Sequence, residues 1–384
     1  MTYCIYCREE KNGKFSLEHV IPKSLGGACA SDLYKTRHVC NECNNRLGLF
    51  ADAGFEKHFM VSQWLHQNAI AFFDPDNVEG LPLICMGPSD LSPPGMPDDH
   101  VCESWLGPLG EQIYWIRPQD ERLYWLTGGN PRTAKEVETR AYFFFSKRSE
   151  KNPKLTWLSF RDAFKKQRVK KMLCTSILGA DPQDIGFVRP DDLGEQQIEY
   201  FHHHCKDGAT RHIRQSMYIH FDLRFLAKIA IGVGFNLFGR KALETEYSDQ
   251  LHKALWHRSG EQLPSLRGAT AFSQERDPRF TRFTGQEYAV TVAVVPSAAG
   301  VVLNLNIGAH GTWTIMCASL EGLSTKDMEL IKEGRVMVLY RWLQKGFALP
   351  MHEFIAHRAG SVLHSELDEL TRRGDAGLEY FRSL

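Results

Sequence analysis

The sequence predicts an α+β protein, in which a small N-terminal module anchored by cysteines precedes a larger region of mixed helices and strands. Three observations support this fold class. Two cysteine pairs share the C-x2-C spacing, Cys4 with Cys7 and Cys40 with Cys43. Residues 217–238 are apolar nearly all round, which is typical of a central helix. Three runs between residues 287 and 319 alternate apolar and polar residues, which predicts an antiparallel meander.

The cysteine spacing indicates a structural zinc site. A tetrahedral Zn²⁺ accepts four thiolates at about 2.3 Å, and each C-x2-C turn supplies two of them. A module of about 50 residues buries too little apolar surface to be securely stable, so a bound metal would supply part of its folding free energy. The alternative is four ordinary buried thiols in a reducing cell. The two matched spacings favour zinc.

Glu18 and His19 lie between the cysteine pairs and are the candidate reactive residues. A histidine titrates near neutrality and suits proton transfer from water, whereas a carboxylate suits a hard divalent cation. Adjacent residues of a strand point to opposite faces, so the two side chains share one site only if a bend or bulge intervenes. Residues 20–22 follow as a predicted short strand. An isolated Glu-His pair is more often structural, and the flanking cysteines favour the reactive interpretation.

These residues together resemble the HNH endonucleases, specifically the bacterial branch with a zinc knuckle, an E-H-V-I-P-x-S-x-G-G run and a closing C-x2-C-N. The resemblance covers about residues 3–50. It implies a ββα-metal finger that hydrolyses DNA phosphodiester bonds, with structural Zn²⁺ and a catalytic Mg²⁺ or Mn²⁺. It assigns the structural zinc to Cys4, Cys7, Cys40 and Cys43, the general base to His19, and the catalytic metal to Glu18 and Asn44.

The sequence departs from the family pattern at two places. The family commonly has an Asn in the middle of the motif, which fixes the loop of the base by backbone hydrogen bonding; the nearest match here is Asp32. The family often has a Lys or Arg shortly after the final Asn, and Arg46 is the corresponding candidate phosphate contact, shifted by one position. The alternative for Arg46 is an ordinary solvated helix residue.

The chain of 384 residues is long enough for more than one domain. We expect the finger at residues 1–52 and a regulatory or targeting α+β region at residues 53–384, with a further boundary near residues 180–215. Within that region the hydrophobic pattern predicts a loop at residues 80–97 and strands at 112–116, 122–126 and 141–145. It predicts helices at 54–73, 156–171, 247–257, 325–343 and 361–373.

The formal net charge is zero, but the charge is unevenly distributed along the chain. Residues 132–171 contain 13 Lys or Arg and four acids, whereas residues 181–199 contain six acids and one Arg. The basic stretch is a candidate DNA contact, because Lys and Arg neutralise phosphates. The acidic stretch would then cover it. Two solvated faces that never meet explain the same pattern equally well.

No run of apolar residues is long enough for a membrane span, and the chain begins without a secretion signal. Ten cysteines in this context predict a reducing cytoplasm. Residues 224–230 loosely resemble a helix found downstream of similar HNH modules in phage-defence and mobile-element proteins, which implies partner proteins of such a system. The sequence does not indicate an oligomeric state.

Two functions of different classes remain at this point. The favoured one is a divalent-metal DNA endonuclease or nickase whose C-terminal region gates or targets cleavage. The alternative is a zinc-stapled module that binds nucleic acid or protein and whose active site has decayed. Retention of Glu18, His19 and Asn44 supports the first, and the missing middle Asn supports the second.

Overall fold

The structure is a computed structural model that describes residues 1–56, 58–119, 138–164, 168–175, 181–205, 212–213, 219–258, 260–272 and 278–384. The chain divides into two compact units. Unit 1 contains residues 1–55, 67–72 and 218–376, and unit 2 contains residues 56–66, 73–217 and 377–384. The N-terminal finger therefore packs within the same unit as most of the C-terminal half. A finger that folds separately as residues 1–52 stays a prediction, as does the boundary near residues 180–215.

The described residues contain strands and helices in an interleaved order. The strands are β1 Thr2–Tyr3, β2 Glu10–Lys11, β3 Phe15–His19, β4 Lys35–Cys40, β5 Ile84–Pro88, β6 His100–Leu106, β7 Gln112–Pro118, β8 Thr139–Phe144, β9 Val169–Leu173, β10 Gly268–Ala269, β11 Val290–Ser297, β12 Gly300–Ile307, β13 Gly311–Ser319, β14 Arg335–Tyr340 and β15 Lys345–Pro350. The helices are α1 Asn41–Leu47, α2 Ala53–Glu56, α3 Phe59–Ala71, α4 Pro153–Asp162, α5 Asp192–His204, α6 Ile219–Phe238, α7 Glu246–Leu255, α8 Pro278–Thr284, α9 Thr325–Leu330, α10 Met351–Arg358 and α11 Ser365–Ser383. The predicted α+β class is confirmed.

The finger in unit 1 consists of two small hairpins and a helix. Strands β1 and β2 pair antiparallel, β3 pairs antiparallel with β4, and α1 follows directly after Cys40. The turn after β3 depends on glycine, because a Cβ on Gly27 would lie 1.7 Å from the carbonyl oxygen of Ile21. This G-G turn reverses the chain between the two strands. The β3–β4–α1 order is the ββα arrangement that the resemblance implies.

Helix α6 forms the centre of unit 1 and packs against a six-stranded antiparallel sheet of order β10-β13-β12-β11-β14-β15. Its apolar side chains are buried on several sides; Phe225 stacks on Phe55 at 3.9 Å between ring centroids, and Phe55 meets Trp313 edge-on at 4.9 Å. A Cβ on Gly232 would lie 2.6 Å from Val20, so the finger approaches α6 closely at this glycine. The predicted central helix and the β11–β12–β13 meander are both present.

Unit 2 is built on a five-stranded sheet of order β5-β6-β7-β8-β9 that is antiparallel except for the β8–β9 pair. Both faces of this sheet are covered. On β7, Ile113 and Trp115 belong to a buried cluster with Phe160 of α4, whereas Tyr114 belongs to a second cluster with Phe201 of α5. Alternating side chains of one strand thus reach two separate cores, which explains why β7 has four consecutive large apolar or aromatic residues, Ile113 to Ile116.

Several element predictions were wrong in extent or type. The helix predicted at 325–343 ends at Leu330, and β14 follows. Gly334 adopts a φ of +64° at the turn, and β14 then pairs with β11 on one side and β15 on the other. A short apolar run fits a buried strand as well as a helix, and these distant partners decide the outcome.

Three other boundaries also differ from the predictions. The helix predicted at 156–171 ends at Asp162, and β9 begins at Val169. The predicted loop at 80–97 contains β5, and the last helix starts at Ser365 instead of residue 361. The strand predicted at 122–126 lies outside the described residues. Among the helices that the structure describes, none is both long and apolar enough to cross a membrane.

Candidate metal centre and active site

Four cysteines of the finger converge on one point. The Sγ atoms of Cys4, Cys7, Cys40 and Cys43 all lie within 4.8 Å of one another, and three of the four residues are buried. The backbone N–H of Cys40 donates to Cys4 Sγ at 3.4 Å, a bond that stabilises a thiolate. A hydrogen bond with Cys43 lowers the pKa of Cys4, and the same contact raises the pKa of Cys43. Such a set of sulfur ligands fits a tetrahedral structural Zn²⁺.

A register shift precedes the candidate reactive pair. Ser16 lies opposite Val39, whereas Glu18 lies opposite Thr36, so β4 contains one residue more than β3 in this interval. This is the pattern of a β-bulge, which re-aims the side chains next to it. Strand β3 ends at His19, and residues 20–22, predicted as a strand, lie in the turn beyond it.

Glu18 forms a buried ion pair with a lysine of the central helix. Lys228 Nζ lies 2.6 Å from Glu18 Oε1, and it also donates to both carboxylate oxygens of Asp52 at 2.6 and 2.7 Å. The side chains of Glu18 and Lys228 are 4% and 1% exposed. Burial alone would lower the pKa of Lys228, but Asp52 and Glu18 more than offset it and the pKa is raised. One ammonium ion is therefore shared between two carboxylates.

His19 occupies the last position of β3, opposite Lys35 in the register, and is half-buried. Partial burial, followed by the positive charges of Lys23 and Lys35, lowers the pKa of the imidazole. The neutral form, which accepts protons, is thereby favoured. The backbone N–H of the next residue, Val20, donates to the carbonyl of Tyr34 at 2.8 Å and ties the end of the strand to the facing loop.

Asn44 lies on α1, one residue after the last zinc-site cysteine. Its Nδ2 donates to Ser16 Oγ at 2.7 Å, so the helix is joined to β3 three residues before His19. This bond uses the amide nitrogen, and the carbonyl oxygen of the same amide is the atom that a hard cation would bind. Among the residues that the structure describes, no second group of three or more His, Cys, Asp or Glu side chains is arranged to hold a metal ion. A catalytic cation would thus need Asn44 and water in addition to Glu18.

Asp32 and Arg46, the two candidates that depart from the family pattern, are at the surface. Asp32 opens a short 3-10 helix, Asp32–Tyr34, and its fully exposed carboxylate lies 3.8 Å from Lys35 Nζ. Arg46 is half-exposed, lies 3.9 Å from Glu42 on the same helix, and stacks over the ring of Trp256 at 4.8 Å. The roles predicted for both residues remain predictions.

The sequence analysis missed three residues that shape this site. Lys228 pairs with Glu18 and is itself held by Asp52, and Asn236 of α6 donates its amide to the carbonyls of Leu33 and Lys35 at 2.7 and 3.0 Å. The side-chain amide of Asn236 thus fixes the backbone of the loop that faces His19. A lysine within an otherwise apolar helix was the available signal, because a buried ammonium needs an anionic partner.

The first cysteine turn is also bound by side chains from α7 and the residue after it. His252 Nε2 lies 2.8 Å from the carbonyl oxygen of Ile5, and Trp256 Nε1 donates to that of Tyr6 at 2.9 Å. Arg8 donates to the carbonyl of Leu243 at 3.0 Å and forms an ion pair with Asp249. The finger is therefore held by the rest of unit 1 as well as by its own cysteines.

The basic stretch at residues 132–171 is described only in part, because residues 132–137 and 165–167 lie outside the described ranges. It meets the acidic stretch where Arg140 forms two hydrogen bonds with Asp191 at 2.6 and 2.8 Å, and again where Lys171 Nζ donates to the carbonyl of Ile185 at 3.0 Å. Lys170 pairs with Glu138 at 2.8 Å, and Lys171 is buried among backbone carbonyls. These cations already have partners within unit 2.

Comparison with known proteins agrees with the geometry of the finger. A family model described as HNH endonuclease matches residues 4–60. No curated protein and no solved structure matches the chain. The resemblance predicted for residues 3–50 is confirmed, and the family implies a nuclease that acts on nucleic acid. Over residues 4–60, the chain carries an HNH endonuclease segment.

Proposed function

We propose that the protein is a divalent-metal-dependent endonuclease or nickase that hydrolyses DNA phosphodiester bonds, with His19 as general base. The observation that carries this proposal is the position of His19 and Asn44 on a zinc-type ββα finger whose segment matches the HNH family. The Ser16–Asn44 bond joins the strand and the helix that present them. A phosphodiester held against this finger would meet a proton acceptor and an amide oxygen together.

His19 would take a proton from the attacking water, and its place at the end of β3 leaves the imidazole half-exposed for this. Glu18 and Asn44 would hold Mg²⁺ or Mn²⁺, which when bound stabilises negative charge on the phosphate and the leaving oxygen. Glu18 and Asn44 offer oxygen ligands of the kind that such an ion prefers, and one Glu18 oxygen is already paired with Lys228. Lys228 orients the carboxylate for this role.

Plasmid nicking tests the proposal. Supercoiled plasmid is incubated with purified full-length protein and Mg²⁺ or Mn²⁺, beside His19→Ala. Loss of a general base lowers the rate by about 10²–10⁴-fold. The matched control is His38→Ala, an exposed histidine of β4 that packs on Phe235. Equal nicking by wild type and His19→Ala would refute the assignment. So would a His19→Ala protein that has lost its zinc, if the zinc loss accounts for its slower nicking.

The Lys228 contact also favours a second candidate. A carboxylate that is already neutralised by a buried ammonium has less attraction for a divalent cation, which is the expected state of a decayed active site. The alternative is then a zinc-stapled module that binds nucleic acid or protein. This alternative predicts that the protein binds nucleic acid or protein equally well with and without Mg²⁺ or Mn²⁺. It also predicts that neither the wild type nor His19→Ala nicks the plasmid.

The wider setting is part of the same proposal. We assign the region beyond the finger a gating or targeting role, because residues of α6 and α7 contact the finger directly. The reducing cytoplasm is proposed from the cysteine content, since none of the ten cysteines, all of them within the described residues, forms a disulfide. A phage-defence or mobile-element context, with partner proteins, is proposed on the resemblance of residues 224–230.

A further inference from the structure

A small basic groove lies beside the finger, within unit 1. Its volume is about 160 Å³, and its lining contains three arginines, two aromatic residues and no acidic residue: Arg46, Leu47, Phe50, Arg224, Leu255, Trp256, His257 and Arg258. Pockets for drug-sized ligands and cofactors are usually about 300–1,000 Å³. This groove is too small for such molecules, and its size and charge suit one phosphate with part of a nucleotide.

Two of the three arginines, Arg46 and Arg224, are held in place by the surrounding fold. Arg46 lies 4.8 Å from the centroid of Trp256, and the indole N–H of Trp256 donates to Tyr6, within the first cysteine turn. Arg224 of α6 donates to the carbonyl of His257. Positioned guanidinium groups lose little conformational freedom when they bind an oxyanion.

Glu42 and Glu261 are acidic residues that approach arginines of the groove, and the charge of Glu261 also acts on Arg224. Glu42 approaches Arg46 at 3.9 Å with both side chains more than half exposed, so this pair is weak. Glu261 accepts a hydrogen bond from the backbone N–H of Arg258 at 2.9 Å. Neither acid lines the groove, so its surface keeps an excess of positive charge.

The groove and the candidate active site share helix α1. Arg46 lies two residues after Asn44, on the same helix, and Phe50 lies in the following π-helical turn, Gly48–Asp52. Phe50 is 41% exposed, which leaves ring surface available for a stacked base. Bases stack on aromatic side chains only when they are unstacked from their neighbours, as in single strands.

We propose that this groove binds a single-stranded segment of the nucleic acid, with its phosphate on Arg46 and Arg258 and one unpaired base on Phe50. The inference deepens the proposed function and rests on it, because it names the form of the nucleic acid that the same finger would bind. It predicts that the protein prefers single-stranded, frayed or flapped DNA to a continuous duplex.

Binding of labelled oligonucleotides tests the inference without cleavage. The protein is the full chain carrying His19→Ala, and the probes are a single-stranded oligo-dT and a blunt duplex, followed by fluorescence anisotropy over a salt series. The groove variants Arg258→Gln and Phe50→Ala are added to this background. Arg372→Gln and Phe283→Ala are the matched controls, because both residues are exposed and neither lines the groove.

We expect Phe50→Ala to weaken single-strand binding by about 10-fold, the effect of losing one stacked base. Arg258→Gln should weaken it by about 3- to 10-fold and lower the salt slope for single strands by about 0.7, the loss of one phosphate contact. The controls should remain within about 2-fold of the parent, in keeping with exposed positions that contact nothing in the groove.

Three results would overturn the inference: groove variants that behave like the controls, equal losses on single strand and duplex, or no oligonucleotide binding by the parent. Plasmid nicking by wild type is measured in parallel. If wild type nicks the plasmid but the groove variants bind single strands as tightly as the parent, only the single-strand role of the groove is refuted. If the groove variants lose single-strand binding but wild type does not nick, the role of the groove is retained and the proposed hydrolysis is refuted.

Discussion

Replacing Lys228 by methionine tests whether the central helix supports the candidate active site. Methionine has nearly the same length but no charge, so Glu18 and Asp52 lose the ammonium that lies 2.6 Å from each. The Glu18 side chain is 4% exposed and that of Asp52 19% exposed, so water can replace the lysine only in part. The expected result is a large loss of folding free energy.

The magnitude follows from burial. Removing one member of a buried ion pair typically destabilises a protein by about 3–5 kcal/mol, because the remaining charge stays buried. Lys241 and Asp327 form a pair at the same 2.6 Å distances, but the Lys241 side chain is 45% exposed. Lys241→Met should therefore cost only about 0–1 kcal/mol. The two lysines have equal contact distances but differ in burial and in the number of carboxylates they neutralise, two for Lys228 and one for Lys241.

Urea unfolding at constant pH measures both variants, with zinc content determined in parallel. The triple variant Glu18→Gln, Asp52→Asn, Lys228→Met removes all three charges, and it should regain most of the lost stability because neutral replacements leave no buried charge. A Lys228→Met cost below about 1 kcal/mol, equal to that of the exposed control, would refute the reasoning. So would a triple variant no more stable than Lys228→Met alone.

Three further outcomes are expected. Cys43→Ser should lower bound zinc below one ion per chain and lower the thermal midpoint, whereas Cys29→Ser, outside the cluster, should change neither; metal analysis and calorimetry measure this. Burial raises the pKa of Asp222 to about 6 despite the hydrogen bond from Trp313. As pH rises, this carboxyl loses its proton in the unfolded chain before it does so in the folded protein. The free energy of unfolding therefore falls by up to about 3 kcal/mol between about pH 4 and 6 and levels off above pH 6. Asp222→Asn should lack this fall when urea unfolding is compared at pH 4 and 7, and an unchanged pH profile would contradict it. Asn236→Ala should cost about 1–2 kcal/mol for two lost hydrogen bonds and slow plasmid nicking, and unchanged nicking would argue against a positioning role.

The parts of the fold that the sequence predicts depend on local patterns. The C-x2-C spacing alone determines that two thiols meet at each turn, and the four Sγ atoms do converge. The alternation of β11, β12 and β13 reflects the two-residue periodicity of side chains within each strand and a hairpin between neighbours. The apolar helix α6 likewise needs no distant partner to be recognised. Periodicity over 10–20 residues carries this information.

The parts that the sequence does not predict depend on distant contacts. The β14 strand follows from pairing with β11, more than 40 residues earlier, and not from its own composition. The ion pair between Glu18 and Lys228 joins positions 210 residues apart. A local pattern identifies Glu18 as a carboxylate beside a histidine, but it does not show which cation faces it. The ammonium of Lys228 decreases the attraction of the Glu18 carboxylate for a divalent cation.

The contacts of the finger imply that its chemistry is coupled to α6. Lys228 holds the carboxylate of Glu18, and Asn236, two turns further along the same helix, holds the loop opposite His19. Glu18 and the loop opposite His19 therefore both depend on α6, which also packs on the six-stranded sheet. A shift of α6 would move the carboxylate and the loop together, which no change confined to the zinc cluster would do. If the region beyond the finger gates cleavage, α6 is the element that connects it to the site, and substitutions along this helix should alter the nicking rate without altering zinc content.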